Sequence, residues 1–313
     1  MYAYLVRRVL ATIPVMGVVA IFVFLLLHLT PGDPAAVIAG DYASPADIER
    51  IRERLGLNDP LYIQFGRWIA HLAQGDLGIS IFSNLPVSQL VAQRLEPTLM
   101  LTVTTIVFAI IIAVPLGVFA AWKAGSFLDR FTMLFAVLGF SIPVFVVGYM
   151  LMYVFAIQLR WLPVQGYVSI TEGFWPFLRS IILPSIALGL IYVALIARIT
   201  RASVLEVLTE DYIRTAHAKG LSSNVVLIRH ALKNAAVPIV TIIGIGIALL
   251  IGGVVITESV FNIPGLGRLT VDAILRRDYP IIQGMILLFA GVYVLINLLI
   301  DLSYTFLDPR IRY

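Results

Sequence analysis

The stretch Leu99–Trp122, LMLTVTTIVFAIIIAVPLGVFAAW, runs for 24 residues without one charged side chain. Crossing a bilayer core takes roughly 20 apolar residues in a helix rising about 1.5 Å per residue. The stretch meets that length, and its apolar residues are continuous. Barrel strands would alternate apolar and polar positions over roughly 10 residues. Lipid offers the backbone no hydrogen-bonding partner, so a continuous apolar run of this kind satisfies its amides and carbonyls as a helix. Working outward, five further runs have the same character. They cover about Val9 to Leu29, Phe131 to Ile157, Ile181 to Ile199, Val237 to Ile256 and Ile281 to Leu302. The reading is an all-α membrane protein with six transmembrane helices.

Composition excludes the main alternatives. The chain is 60% hydrophobic and only 13% charged, with a mean hydropathy of +0.97. Soluble domains carry about 25% charged residues, so most of this surface faces lipid. The net charge of +4 raises the question of a nucleic-acid partner. The basic residues are dispersed between apolar segments and form no stripe along one face, so no nucleic-acid partner is expected. The absence of cysteine rules out disulfides, thiol catalysis and Cys-ligated metal.

Arg7 and Arg8 before an apolar run also describe a secretory signal. A signal core spans roughly 7–15 residues and ends in a small-residue cleavage site. This run is longer and leads into His28-Leu29-Thr30-Pro31-Gly32-Asp33-Pro34, so a retained helix is expected. Short loops rich in Lys and Arg face the cytoplasm. Lys123, Arg130, Arg198, Arg201, Arg214, Lys219, Arg229 and Lys233 then lie inside together with Arg7 and Arg8. Both termini are expected in the cytoplasm. The chain divides into a first segment, 1–30, an extracytoplasmic helical cap, 31–97, and a five-helix core, 98–313, whose cytoplasmic loop spans 198–235.

The cap has its own helical signals. Ser44-Pro45-Ala46-Asp47 reads as an N-cap followed by proline at the first helical position, and Gly56 ends that helix. From Leu61 to Leu72 a second amphipathic helix places Leu61, Phe65, Trp68, Ile69 and Leu72 on one face, with Tyr62 and Trp68 as headgroup anchors.

In the cytoplasmic loop, Thr209 precedes Glu210 and Asp211, which reads as a helix start with acids at the positive end. Lys219 and Gly220 then read as its last turn and left-handed stop. The result is an exposed helix of about two to three turns. It is either a solvated connector or, with Thr215, Ala216 and Ala218 on its surface, an element that slots into another protein's groove.

No catalytic constellation emerges. The four histidines match no hydrolase or metal spacing, and no phosphate-cradling glycine loop is present, so no cofactor is expected on this chain. If ATP drives the protein, another chain must bind it. Ionisable residues inside spans are few, chiefly Asp301 and Glu258, and both are expected at wetted helix ends. A relay of buried acids is missing, which argues against a secondary carrier; a filter loop is missing too, which argues against a channel.

Gly244, Ala248 and Gly252 recur every four residues, a spacing that lets helix backbones approach closely. Pro143 after Gly139-Phe140-Ser141-Ile142 should kink the third span. Both features fit plain helix packing equally well. A translocation path between the third and fifth spans would draw on Ser141, Pro143, Gly252, Glu258 and Asn262.

Asp211-Tyr212-Ile213-Arg214-Thr215-Ala216-His217-Ala218-Lys219-Gly220-Leu221-Ser222, followed by Arg229-His230-Ala231-Leu232-Lys233-Asn234-Ala235, resembles the loop that marks permeases of ABC importers. The version is similar to that of the dipeptide, oligopeptide and nickel subfamily. The general pattern has Glu-Ala-Ala, three residues, then Gly; here Arg214-Thr215-Ala216 precede Gly220, and the closing proline is displaced to Pro238. The segments Thr30–Pro34, Leu55-Gly56-Leu57 with Asp59-Pro60, Gly75-Asp76-Leu77-Gly78 with Ser80, Glu258–Gly267 and Asp308-Pro309-Arg310 agree in the same order.

The resemblance implies the first permease type of a type I importer in the bacterial inner membrane. Its partners would be a homologous second permease, two cytoplasmic ATPases and an extracytoplasmic solute-binding protein. Asp211, Tyr212, Arg214, Thr215, Ala216, His217, Ala218, Lys219, Gly220 and Leu221 would then form the coupling helix that docks on an ATPase.

Overall fold

The computed structural model describes residues 2–29, 33–39, 43–54 and 56–307. Gly32, Leu55 and the Asp308-Pro309-Arg310 segment lie outside the described residues. In chain order the helices are α1 (Tyr2–Leu29), α2 (Pro34–Ala39), α3 (Pro45–Arg54), α4 (Leu61–Ala73), α5 (Val87–Trp122), α6 (Phe127–Ser141) and α7 (Val144–Leu151). They continue as α8 (Phe174–Leu208), α9 (Asp211–Ala218), α10 (Ser223–Val225), α11 (Ala236–Gly253), α12 (Val255–Val260), α13 (Leu266–Arg276) and α14 (Tyr279–Leu307). Two π-helical segments, Met152–Gln158 and Val226–Leu232, extend α7 and α10. Among the described residues, extended pairing is limited to one isolated bridge between Ile79 and Pro86.

All six apolar runs are helical. Four are continuous spans, Arg7–Leu26, Val87–Trp122, Phe174–Leu208 and Tyr279–Tyr304. The other two are bent pairs, Phe127–Gly139 with Val144–Gln158 at 102°, and Ser223–Leu232 with Ala236–Ile251 at 59°. The kink expected at Pro143 is therefore a full break. The proline ring removes an amide donor and crowds the preceding turn, so α6 ends at Ser141 and Pro143 becomes the N-cap of α7.

The chain forms two compact units. The first contains Met1–Leu95 and Leu269–Val292. In it Ser44 caps α3 as expected, its hydroxyl oxygen accepting from the Asp47 amide at 3.3 Å. The same hydroxyl donates to the Asp47 carboxylate at 2.6 Å, which holds that carboxyl below the usual carboxylate range. Phe65 and Trp68 on α4 pack against Phe24 of α1, with ring centroids 5.3 and 5.8 Å away. Tyr62 is exposed, as an anchor requires, but Leu61 is exposed as well and lies off the packed face. The Gly75–Ser80 segment is secured by Asp278, whose carboxylate accepts from the Ser80 hydroxyl at 2.6 Å and from the Ile81 amide at 3.3 Å.

The second unit contains Glu96–Arg268 and Tyr293–Tyr313. Helix α8 is its axis: Ile181, Leu183, Ala187, Val193, Ile196 and Ala197 are all buried. Small residues on the surrounding helices make this packing possible. A Cβ at Gly117 would lie 2.6 Å from the Ala197 carbonyl oxygen, and one at Gly139 would lie 2.8 Å from the Ala194 methyl. The small residues of the fifth span act in the same way. A Cβ at Gly244 would come within 2.3 Å of the Ile300 side chain, and one at Gly246 within 3.2 Å of the Tyr192 ring.

Candidate functional site

Helix α9 follows α8 after a two-residue corner. Thr209 does not start it. That residue closes α8, its hydroxyl donating to the Glu206 carbonyl at 2.7 Å. Glu210, with extended backbone, is the N-cap of α9 instead. Two acids, Glu210 and Asp211, still sit at the positive end of the helix dipole.

The far end matches the sequence reading. Gly220 adopts φ +80°, its amide donates to the His217 carbonyl at 2.9 Å, and the Leu221 amide donates to the Ala216 carbonyl at 3.3 Å. This pair of bonds is the Schellman stop, which needs a left-handed residue that glycine supplies without steric penalty.

The eight residues of α9 divide sharply by environment. Ile213 and Ala216, three apart on one face, are buried among Val118, Ala121, Val204, Leu227 and Ala231. Ala216, expected on the exposed surface, is thus turned inward, because the helix needs a small residue where it lies on its own unit. Asp211, Arg214, Thr215, His217, Ala218, Lys219 and Gly220 are exposed. Side-chain exposure reaches 97% for Asp211 and 82% for Arg214. Tyr212 and Leu221 retain about two-fifths of their surface, at 38% each. The Asn234 amide donates to the Tyr212 hydroxyl at 2.9 Å and to the His230 carbonyl at 2.8 Å, fastening α9 to the π-helical segment behind it. The helix is therefore held firmly on one side and open on the other.

A second connection was not read from the sequence. Asp129, at the start of α6, forms a two-pronged ion pair with Arg201 on α8, with Nη2 to Oδ2 at 2.8 Å, and also accepts from the Gly125 amide at 2.8 Å. The pattern Ser126-x-x-Asp129 before an apolar run is a capping signature that could have drawn attention to it; the Ser126 hydroxyl oxygen accepts from the Asp129 amide at 3.4 Å.

The residues considered for a solute path are distributed differently. Ser141, Pro143 and Asn262 are exposed. Gly252 lies in α11. The third span meets α12, the short helix beyond the fifth span, at a packed seam, where a Cβ on Gly148 would lie 3.1 Å from the ring of Phe261, the C-cap of α12.

Glu258, expected at a wetted helix end, is instead fully buried. Its carboxylate accepts from the Thr98 hydroxyl at 2.6 Å and from the Arg268 amide at 2.9 Å. Thr98 in turn accepts from the Leu266 amide at 2.8 Å. The segment 262–267, a short loop and the first residues of α13, closes over it, and Asn262, at φ +53°, accepts a hydrogen bond from Arg268. Glu258 thus organises the segment that the sequence singled out. Next to it, the Tyr167 hydroxyl donates to Glu96 at 3.0 Å, and burial, reinforced by that bond, pushes the phenol's pKa up.

Residues 113–313 match the family described as binding-protein-dependent transport system inner membrane component. Residues 1–102 match the corresponding N-terminal family of membrane components. The chain belongs to the binding-protein-dependent inner-membrane permease family. As a member it is a multi-pass inner-membrane component of an ABC transport system.

Among similar permeases is a probable peptide ABC transporter permease protein, y4tP, of Sinorhizobium fredii, 58% identical over 313 residues and covering all of both chains. The glutathione transport system permease protein GsiC of Escherichia coli is 46% identical over the same full length. The dipeptide transport system permease protein DppB of Alkalihalophilus pseudofirmus is 44% identical, again over all of both chains. An inward-facing MetNI methionine ABC transporter shares the fold, with a TM-score of 0.56 at 17% identity, covering 71% of this permease and 97% of that chain.

Proposed function

We propose that this permease forms half of the translocation path for peptides or related small solutes, delivered by an extracytoplasmic binding protein and driven by ATP hydrolysis on partner subunits. The observation that carries the coupling claim is the two-sided environment of α9. One face is rooted in its own unit through Ile213 and Ala216, while the other offers Asp211, Arg214, Thr215, His217, Ala218 and Lys219. A short, rigid helix anchored in this way can transmit a displacement rather than absorb it. The expected partners are two cytoplasmic ATPases, a homologous second permease and the binding protein. On this reading α9 and both termini lie in the cytoplasm. Differential affinity of the ATPases for the two arrangements of the permease pair shifts the population between inward- and outward-facing states.

The peptide assignment draws support from relatives whose names specify peptide, glutathione and dipeptide transport. Exposed residues such as Ser141, Pro143 and Asn262 would reach the path where two permeases face each other. The packed seam at Gly148 favours this arrangement over a route through one chain.

Co-purification tests the coupling claim. Ala218→Trp places a bulky ring on the open face of α9 without touching Ile213 or Ala216. The variant should insert normally yet lose its P-loop ATPase partners in a pull-down. An intact complex with normal solute-stimulated ATP hydrolysis would overturn the assignment of α9.

A further inference from the structure

Between the end of the third span and the start of the fourth lies a cleft of about 450 Å³ lined by Arg160, Trp161, Trp175, Leu178, Arg179 and Ile182. Its size falls within the roughly 300–1,000 Å³ of small-molecule sites. The lining divides by chemistry. Leu178 and Ile182 continue the apolar surface of α8, while Trp161 and Trp175 are exposed at the span ends. Indole rings in such positions mark the headgroup level of a membrane.

The two arginines are the unusual part. Arg179 uses one Nη to donate to the Trp161 carbonyl at 2.7 Å, which shapes the wall of the cleft and leaves most of its five donors available. Among the described residues Arg160 has no hydrogen-bond or ion-pair partner. Its backbone sits at φ +55°, a left-handed position that closes the π-helical end of the third span. Glycine or asparagine would occupy that position at less cost. On the topology proposed above this short loop is extracytoplasmic, the side where arginine is disfavoured. Two guanidinium groups are therefore held beside an apolar cleft and an aromatic belt.

We propose that this cleft binds the phosphodiester headgroup of an anionic phospholipid. Arg160 and Arg179 would clamp the phosphate, since guanidinium offers paired donors matched to phosphate oxygens. The acyl chains would lie along Leu178 and Ile182. Charge complementarity selects this occupant over a neutral lipid, and the apolar floor selects it over a free anion.

The test uses the purified transporter complex in detergent, stripped of lipid and supplied with phosphatidylglycerol, phosphatidylcholine or soluble glycerol phosphate, with bound molecules counted by native mass spectrometry. The intact complex should retain phosphatidylglycerol over phosphatidylcholine. Arg160→Gln, which disturbs no hydrogen bond within the protein, should weaken that retention roughly tenfold, as expected for losing one charge-assisted contact. Arg160→Lys, which keeps the charge but not the paired donors, should restore only part of it. Glycerol phosphate retained as well as the lipid would identify a free-anion site and overturn the proposal, as would lipid retention unchanged by Arg160→Gln. The chain has no cysteine, so Trp175→Cys provides a single attachment point for a photo-crosslinker. Adducts to lipid support the proposal; adducts to the second permease assign the cleft to a protein interface and sink it.

Discussion

A carboxylate with no exposed surface must have its lone pairs answered from within the protein. Glu258 meets that condition through Thr98 and the Arg268 amide, and the chain folds around it so tightly that a Cβ at Gly265 would lie 2.0 Å from its Oε1. Glu258→Ala should strand the Thr98 hydroxyl and the Arg268 amide, at a cost of roughly 1–3 kcal/mol for each group left unpaired. Glu258→Gln keeps an acceptor and should cost less. Thermal unfolding of the purified variants orders these expectations, and an alanine variant as stable as the parent would refute the organising role. Gly265→Ala should be as damaging as Glu258→Ala, because the added methyl has no room unless the carboxylate moves. The sequence shows this acid sitting near a span end, where water is the default partner. Its burial depends on Thr98, 160 positions earlier, and one-dimensional spacing carries no trace of that pairing.

At the scale of elements, α9 depends on two features, one at its end and one on its inner face. Replacing Gly220 by alanine forces a side chain into the left-handed region, costing about 1 kcal/mol. Ile213→Ala removes the buried anchor and should cost about 2–5 kcal/mol. Amide exchange across 211–219 would separate the two. Gly220→Ala should speed exchange mainly in the last turn, and Ile213→Ala throughout the helix. Equal protection in both variants would show that α9 is held by something else. Gly220 was legible because a left-handed stop has few alternatives to glycine. The start was misplaced by one residue, since Thr209 and Glu210 both fit a cap position and only the end of α8 decides between them. The inward turn of Ala216 was invisible, as small residues suit a tight internal contact and an external groove equally well.

For the whole molecule, the six spans and their helical character were legible because lipid allows so few alternatives to a long apolar helix. The broken third span was half legible: proline announces a kink, but its 102° depends on how α7 packs afterwards. Orientation has its own test. With no native cysteine, Glu172→Cys and Asn224→Cys give single, exposed reporters. A membrane-impermeant maleimide added to cells with a permeabilised outer envelope should label position 172 and spare 224 until the inner membrane is opened. The reverse pattern would invert the topology and move α9 away from any cytoplasmic ATPase.

The continuity of α8 has a mechanical consequence. Its 35 residues make a strut of about 52 Å, and at its foot Arg201 is bolted to Asp129 at the base of the jointed third span. A displacement of α9 would therefore meet a continuous helix first and a broken one second. If α9 couples to an ATPase as proposed, α8 would carry its displacement across the membrane, and the break at Pro143 is where that displacement could become a change of shape.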